Sequence, residues 1–291
     1  MNEAVALTRG ADEAGVPVAT HDVRGGGGLR LHAREWGDRE GPPILFVHGW
    51  SQSQLCWSRQ VAGGLAEDFR LVTLDIRGHG MSDKPTEGTH YLDPQLWADD
   101  IAAVIDRLEL DRPVLVAWSY GGFIVTDYVR AYGEGAIAGI DLVGGAVVLS
   151  PPTFDHIGPG FLENAPDACG PDLATGIAGI RGFLEACTAR PLDRDDWSTA
   201  LCWNMVVPPE VRGALIARAI DATDVLSGLS VPVLVSHGRR DAIILPSMAE
   251  HVLDVCRAAE PSWYEDVGHM PFVEDQARFD RELAELATRA R

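Results

Sequence analysis

Six short strand-like runs, most of them apolar and each closing on a loop rich in glycine, proline or polar residues, constrain this chain more than any other feature. They are "PPILFVHG" (residues 42–49), "RLVTLDIRGHG" (70–80), "RPVLVAWS" (112–119), "IAGIDLVGGAVVLSPP" (137–152), "VPVLVSHGRRD" (231–241) and "PSWYEDVGH" (261–269). All six read as strands, and the continuous apolar runs 42–49 and 70–80 as buried ones. Stretches with helical spacing lie between them: residues 55–69, 93–110, 120–132, 246–258 and 272–290. The clearest is "DPQLWADDIAAVIDRLEL", with Asp93 as cap, Pro94 at the first turn and apolar residues Leu96, Ile101, Val104, Ile105 and Leu108 on one side. Strands alternating with helices predict an α/β fold, a mostly parallel sheet flanked by helices. "LRLHAREWG" (29–37) alternates apolar and polar residues and predicts a half-exposed strand, with "GGGG" before it as a turn.

The rhythm fails between residues 153 and 229. "GIAGIRGFLEACTA" and "PPEVRGALIARAID" have helical spacing, and no strand run is visible. The expected organisation is a core over residues 19–152 and 230–291, a helical cap inserted at 153–229, and a flexible tail over 1–18.

Composition narrows the function. The 291 residues carry a formal net charge of −19, which repels nucleic acid and anionic membrane surfaces, so neither is an expected partner. No apolar run reaches the length needed to cross a bilayer, and the acidic first twenty residues lack the pattern of a secretory signal. The five cysteines, Cys56, Cys169, Cys187, Cys202 and Cys256, are widely spaced and form no C-x-x-C pair, which fits a reduced, cytoplasmic chain and gives no zinc motif. No ligand cluster has metal-binding spacing, and "GGGG" matches no phosphate-binding fingerprint. Neither a metal nor a cofactor is expected. The expected partner is a small-molecule substrate; self-association is left open.

Ser119 stands where the run 112–119 gives way to a helix. A backbone can turn that sharply only if the positions two residues away are small; here they are Ala117 and Gly121. The G-x-S-x-G nucleophile elbow has this form, with alanine here in place of its first glycine. A serine hydroxyl needs a base. His269 lies in the loop between the last strand and the last helix, and Asp241 follows an earlier strand by a few residues. The chain order Ser119, Asp241, His269 suits a nucleophile–acid–base triad, with Asp266, three residues before His269, the weaker candidate for the acid. An oxyanion hole would take its donors from the backbone N–H of Tyr120, after the serine, and of Trp50, in the loop after residues 42–49. His48 reads as structural, its ring bonding backbone. Trp50, Trp118 and, in the apolar "LCWNMVV" stretch, Trp203 and Met205 are candidates for a substrate pocket, although Trp118 could equally pack as core.

The motifs "HGWSQS", "DIRGHGMSDKP", "AWSYGG", "HGRRD" and "VGHMPFVED" resemble, in this order, those of the α/β-hydrolase superfamily from about residue 29 to the C-terminus. Within it the chain looks like the cofactor-free haloperoxidase and esterase branch. The resemblance implies Ser119 as nucleophile, Asp241 as acid and His269 as base. It implies the Trp50 and Tyr120 backbones as oxyanion donors, and an architectural role for the loop holding Asp75, Arg77 and His79. Members that open epoxides or cleave carbon–halogen bonds place an aspartate at the elbow, so Ser119 argues against both. The implied activity is hydrolysis of an ester or lactone of a small to medium, largely apolar substrate through an acyl-enzyme, extending to perhydrolysis. The alternatives are carbon–carbon bond hydrolysis or acyl transfer on the same triad, or a ligand-binding protein without catalysis.

Overall fold

A computed structural model describes residues 16–149 and 154–291. The ten strands are, in chain order, β1 (Ala19–Arg24), β2 (Arg30–Gly37), β3 (Pro43–Val47), β4 (Arg70–Asp75), β5 (Val114–Trp118), β6 (Gly139–Val143), β7 (Val148–Leu149), β8 (Ile220–Asp221), β9 (Val233–Gly238) and β10 (Ala259–Tyr264). Eight of them form one sheet in the order β1-β2-β4-β3-β5-β6-β9-β10. The pairs β1–β2 and β2–β4 are antiparallel and the rest are parallel. This is the mostly parallel α/β sheet that the alternating runs predict.

The topology places the site. From β3 the chain crosses to β4 on one side, whereas β5 pairs with the other side of β3 and leads outward to β6. Connections therefore leave β3 and β5 in opposite directions, which opens a crevice at their carboxyl ends, where ligands bind in open α/β sheets. The loop containing Trp50 follows β3, and Ser119 follows β5.

The sheet is covered on both faces. Helix Pro94–Arg107 starts where the Asp93 carboxylate accepts the Gln95 N–H at 2.9 Å, and it buries Trp97, Ile101 and Val104. Helix Gln276–Arg289 buries Phe279, Leu283 and Leu286. Phe46 on β3, Trp57, Phe272 and Phe279 form a series of ring contacts that packs this helix on the sheet, with centroids 5.0, 4.4 and 6.0 Å apart.

Three expectations change. The run 137–152 is not one strand: β6 ends at Val143, Gly144 turns the chain at φ 48°, and only Val148–Leu149 is extended again, pairing with β8. Residues 55–69 are not one helix but short pieces, Gln54–Trp57, Ser58–Val61 and Leu65–Asp68, interrupted at Gly63 and Gly64. Between β7 and β9 the described residues form six helices, as the helical spacing suggests, but β8 is a strand that the sequence reading did not see. The tail expected over 1–18 falls almost wholly outside the described residues, as does the boundary at 152/153.

One buried group makes stability depend on pH. Asp141, in the middle of β6, is fully buried, and neither carboxyl oxygen has a hydrogen-bond partner among the described residues. Desolvation raises its pKa to about 7. The folded chain therefore keeps a proton that the unfolded chain releases near pH 4. Stability falls as pH rises from about 4 to about 7, by up to roughly 4 kcal/mol, and then levels off. Asp141→Asn removes this dependence. The melting temperature of the variant relative to wild type should rise by roughly 5 °C or more between pH 4.5 and pH 8. A difference that stays flat across that range would show that Asp141 does not carry a buried proton.

Candidate active site

Ser119 sits at the end of β5 with φ 55°. A non-glycine residue in the left-handed region is strained and is held there by its surroundings. Its N–H donates to Val143 O at 3.0 Å, and its carbonyl accepts from Gly122 N and Ala146 N, each at 2.9 Å. The turn is packed against backbone. A Cβ on Gly121 would lie 2.6 Å from Val47 O, and one on Gly122 would lie 2.5 Å from Ala146 O. Ala117, two residues before the serine, fits as a fully buried residue. The tight elbow is therefore made by Gly121 and Gly122, and the alanine in the first pattern position is accommodated.

His269 follows β10, and its ring Nδ1 lies 2.7 Å from Asp241 Oδ2. A carboxylate can only accept, so Nδ1 carries the proton and Nε2 keeps its lone pair. Nε2 is buried and without a hydrogen-bond partner among the described residues. Asp241 follows β9. Its Oδ1 accepts the N–H groups of Ile243 and Ile244 at 2.8 and 2.9 Å, which fixes the carboxylate's orientation. His237 Nε2 also approaches Oδ2, at 3.4 Å. Asp266, the rival candidate for the acid, lies on the exposed surface.

Gly144 marks where these groups converge. It directly follows Val143, whose carbonyl receives the Ser119 N–H. A Cβ on Gly144 would lie 2.8 Å from His269 Nδ1 and 3.2 Å from Asp241 Oδ2. Its positive φ and this close approach both require glycine. The histidine loop is anchored on its far side: His269 N donates to Cys187 O at 2.8 Å, and Glu274 accepts from Gly268 N at 2.8 Å and Ala189 N at 2.9 Å. Gly144, Cys187 and Glu274 were not singled out in the sequence. A glycine after a strand and a carboxylate five residues past the histidine are the only signals of their roles.

Gly49 brings the β3 loop to the serine, because a Cβ there would lie 2.8 Å from Ser119 Cβ. The turn Gly49–Gln52 is closed by Gln52 N to Gly49 O at 3.3 Å and holds Ser51 at φ 60°. Neither Trp50 N–H nor Tyr120 N–H has an acceptor among the described residues, so both donors are free for a ligand oxygen. The His48 ring lies 2.9 Å from Gly49 O and accepts the Ile76 N–H at 3.2 Å. The loop holding Asp75, Arg77 and His79 is architectural in the literal sense. Asp75 accepts from Gln54 N and Met81 N, Arg77 pairs with Asp100 at 2.6 Å, and His79 accepts the Ser51 N–H at 3.1 Å.

Above Ser119 lies a narrow cavity lined by Trp50, Tyr120 and apolar side chains that include Phe123, Phe161, Phe183 and Ile243; among the described residues no charged one borders it. Its free volume is about 30 Å³, room for roughly two waters. Trp50 meets Phe161 and Phe183 edge to face, with centroids 5.0 and 5.1 Å apart. Of the four pocket candidates only Trp50 borders this cavity. Trp118 lies under the elbow, where its indole donates to His269 O at 2.9 Å and packs on Phe272. Trp203 donates to Gln52 Oε1 at 2.8 Å, and Met205, half-buried, packs against the core away from the lining. A much larger cleft, of about 710 Å³, lies at the opposite end of the sheet beside Pro43, Arg70 and Val114, far from Ser119.

No helix among the described residues is long and apolar enough to cross a membrane, and no group of His, Cys, Asp or Glu there could hold a metal ion.

Comparison with known proteins agrees with this geometry. The family model described as the alpha/beta hydrolase family matches residues 44–282. A candidate aryl esterase from Burkholderia cenocepacia is similar in structure, with a TM-score of 0.89 and 35% identity, covering 94% of this chain and 99% of that one. A non-heme chloroperoxidase from Streptomyces lividans is 30% identical over 75% of this chain and 80% of its own. A bifunctional esterase/perhydrolase from Acinetobacter calcoaceticus is 28% identical over the same shares.

Proposed function

The chain belongs to the alpha/beta hydrolase family, in its cofactor-free haloperoxidase and esterase branch, and from that premise we propose that it is a serine esterase acting on small, uncharged acyl groups. The observation that carries this reading is the strained Ser119, bordering an apolar cavity, together with a histidine whose Nδ1 is held by an aspartate and whose ring packs on Gly144, next to the Val143 carbonyl that binds the Ser119 N–H.

The cycle uses this chain's own groups. His269 Nε2 takes the Ser119 proton as Oγ attacks the ester carbonyl. The carbonyl π bond opens, and the oxyanion is received by the N–H groups of Trp50 and Tyr120. Asp241 stabilises the imidazolium. Collapse expels the alkoxide, which takes the proton from His269. Water, deprotonated by the same nitrogen, then releases the acid and free serine. Hydrogen peroxide in place of water gives a peracid, and the similarity to the Acinetobacter esterase/perhydrolase supports including that branch.

The cavity sets the substrate class. A charged acyl group would lose its hydration there and meet no partner, and a long chain would exceed the space. In a panel of p-nitrophenyl esters, kcat/KM for acetate and propionate should exceed that for octanoate by about tenfold or more, with a hemisuccinate poorer still. Equal use of octanoate or hemisuccinate would remove the cavity from the account. Turnover of a β-diketone without ester hydrolysis would move the proposal to carbon–carbon cleavage.

A further inference from the structure

Among the described residues four arginines are buried: Arg70, Arg77, Arg212 and Arg218. Three sit against carboxylates, Arg70 on Glu35, Arg77 on Asp100 and Arg218 on Asp127, at 2.5 to 2.9 Å. Arg212 alone has no carboxylate partner among the described residues. Its guanidinium donates to Ser51 Oγ at 3.1 Å, Ala168 O at 2.6 Å and Asn204 O at 2.8 Å. Its own carbonyl accepts the Trp50 indole N–H at 3.0 Å. A buried charge without a counter-charge is costly even when it is hydrogen-bonded, and packing alone would be served as well by an apolar side chain.

The location gives it a use. Arg212 lies on helix Pro209–Ile216, in the helical segment between β8 and the rest of that insertion, yet its contacts bracket Trp50 from both sides. The side chain holds the hydroxyl of Ser51, the next residue, and the main chain holds the Trp50 ring. Ser51 is the strained residue of the turn, and its N–H is already committed to His79. The Trp50 N–H is thus aimed by a turn that does not relax on its own and is clamped from the helical segment. The clamp places the guanidinium on the hydroxyl of the residue that follows Trp50.

We propose that Arg212 is a positioning residue for the oxyanion site, fixing the Trp50 N–H and lending positive potential to it. This rests on the esterase reading, with Trp50 as an oxyanion donor. It also makes the helical segment part of the catalytic apparatus, so that the part of it carrying Arg212 stays docked during turnover.

The test uses the full chain with p-nitrophenyl acetate. Arg212→Met keeps the length and removes the charge; Arg212→Lys keeps the charge but cannot span three acceptors. Rates are expressed per site labelled at the end point by a fluorophosphonate. Arg212→Met should lose about 10- to 100-fold in kcat, less than the loss of an oxyanion donor itself, with KM within about threefold of wild type. Inhibition by phenylboronic acid, whose tetrahedral adduct carries the same negative charge, should weaken in parallel, and Arg212→Lys should fall between. If Arg212→Met does not fold, a lowered kcat at retained KM in Arg212→Lys supports the proposal. Wild-type kcat per labelled site in the folded variants overturns it, and activity lost only in proportion to labelled sites reduces Arg212 to a structural role and overturns it equally. Wild-type activity that survives Ser119→Ala would instead overturn the reading beneath it, and this inference with it.

Discussion

Ser119→Ala should abolish ester hydrolysis, lowering kcat by about 10⁴-fold or more, while leaving the melting temperature within a degree or two of wild type. The two halves of this expectation come from different features. The fold around the serine depends on its backbone: φ 55°, the N–H on Val143 O and the carbonyl shared by Gly122 and Ala146. Alanine keeps all of these and the Cβ, and no described hydrogen bond is made by the hydroxyl. Activity is expected to depend on that hydroxyl, because among the described residues Ser119 is the only serine, threonine or cysteine bordering the apolar cavity. Cys187, the cysteine nearest the histidine loop, is fully buried and its thiol pKa is pushed well up by desolvation, so it offers no thiolate. Residual activity above about a tenth of wild type would mean that another group does the chemistry.

Asp241→Asn should lower kcat by about 10³- to 10⁴-fold, for a reason specific to the hydrogen bonds here. Asp241 Oδ1 accepts two backbone N–H groups, from Ile243 and Ile244. In the variant the amide oxygen must stay there, because an NH₂ would face two donors. The NH₂ is then directed at His269 Nδ1, which must accept, so the ring proton moves to Nε2 and the base is lost. The variant should fold, since every backbone bond to the side chain is retained. KM should change much less than kcat. A variant with near wild-type turnover would show that the histidine's tautomer is set elsewhere, with His237 the first place to look.

The sequence reveals those parts of this protein whose signal is local and strong. Apolar runs such as Ile44–Val47 and Val114–Trp118 are strands because they are buried on both faces, and the small residues around Ser119 describe a steric limit that Gly121 and Gly122 meet. Weaker or non-local signals stay hidden. The strand β1 is an edge strand with mostly polar side chains, so neither a run nor a clean alternation marks it. Gly144 looks like any strand-end glycine until the histidine is seen beside it. Trp118 and Trp50 both flank motif residues, yet one is turned under the elbow and the other into the cavity; the direction is set by neighbours from distant segments. Trp203 and Met205 lie in the only strongly apolar stretch of helix Arg194–Met205, but that helix buries Ala200 and Asn204 instead. The cavity wall comes from Phe161, Phe183 and Ile243, apolar residues with no distinguishing pattern in the chain.

The central claim is that Ser119 is an activated nucleophile that carries the acyl group. Its most direct measurement is intact-protein and peptide mass spectrometry after treatment with a fluorophosphonate, run on wild type, Ser119→Ala and Asp241→Asn. The account predicts one adduct per chain, mapped to Ser119, absent in Ser119→Ala and formed far more slowly in Asp241→Asn. An esterase-active wild type that takes up no label, or takes it up at another residue, would contradict it.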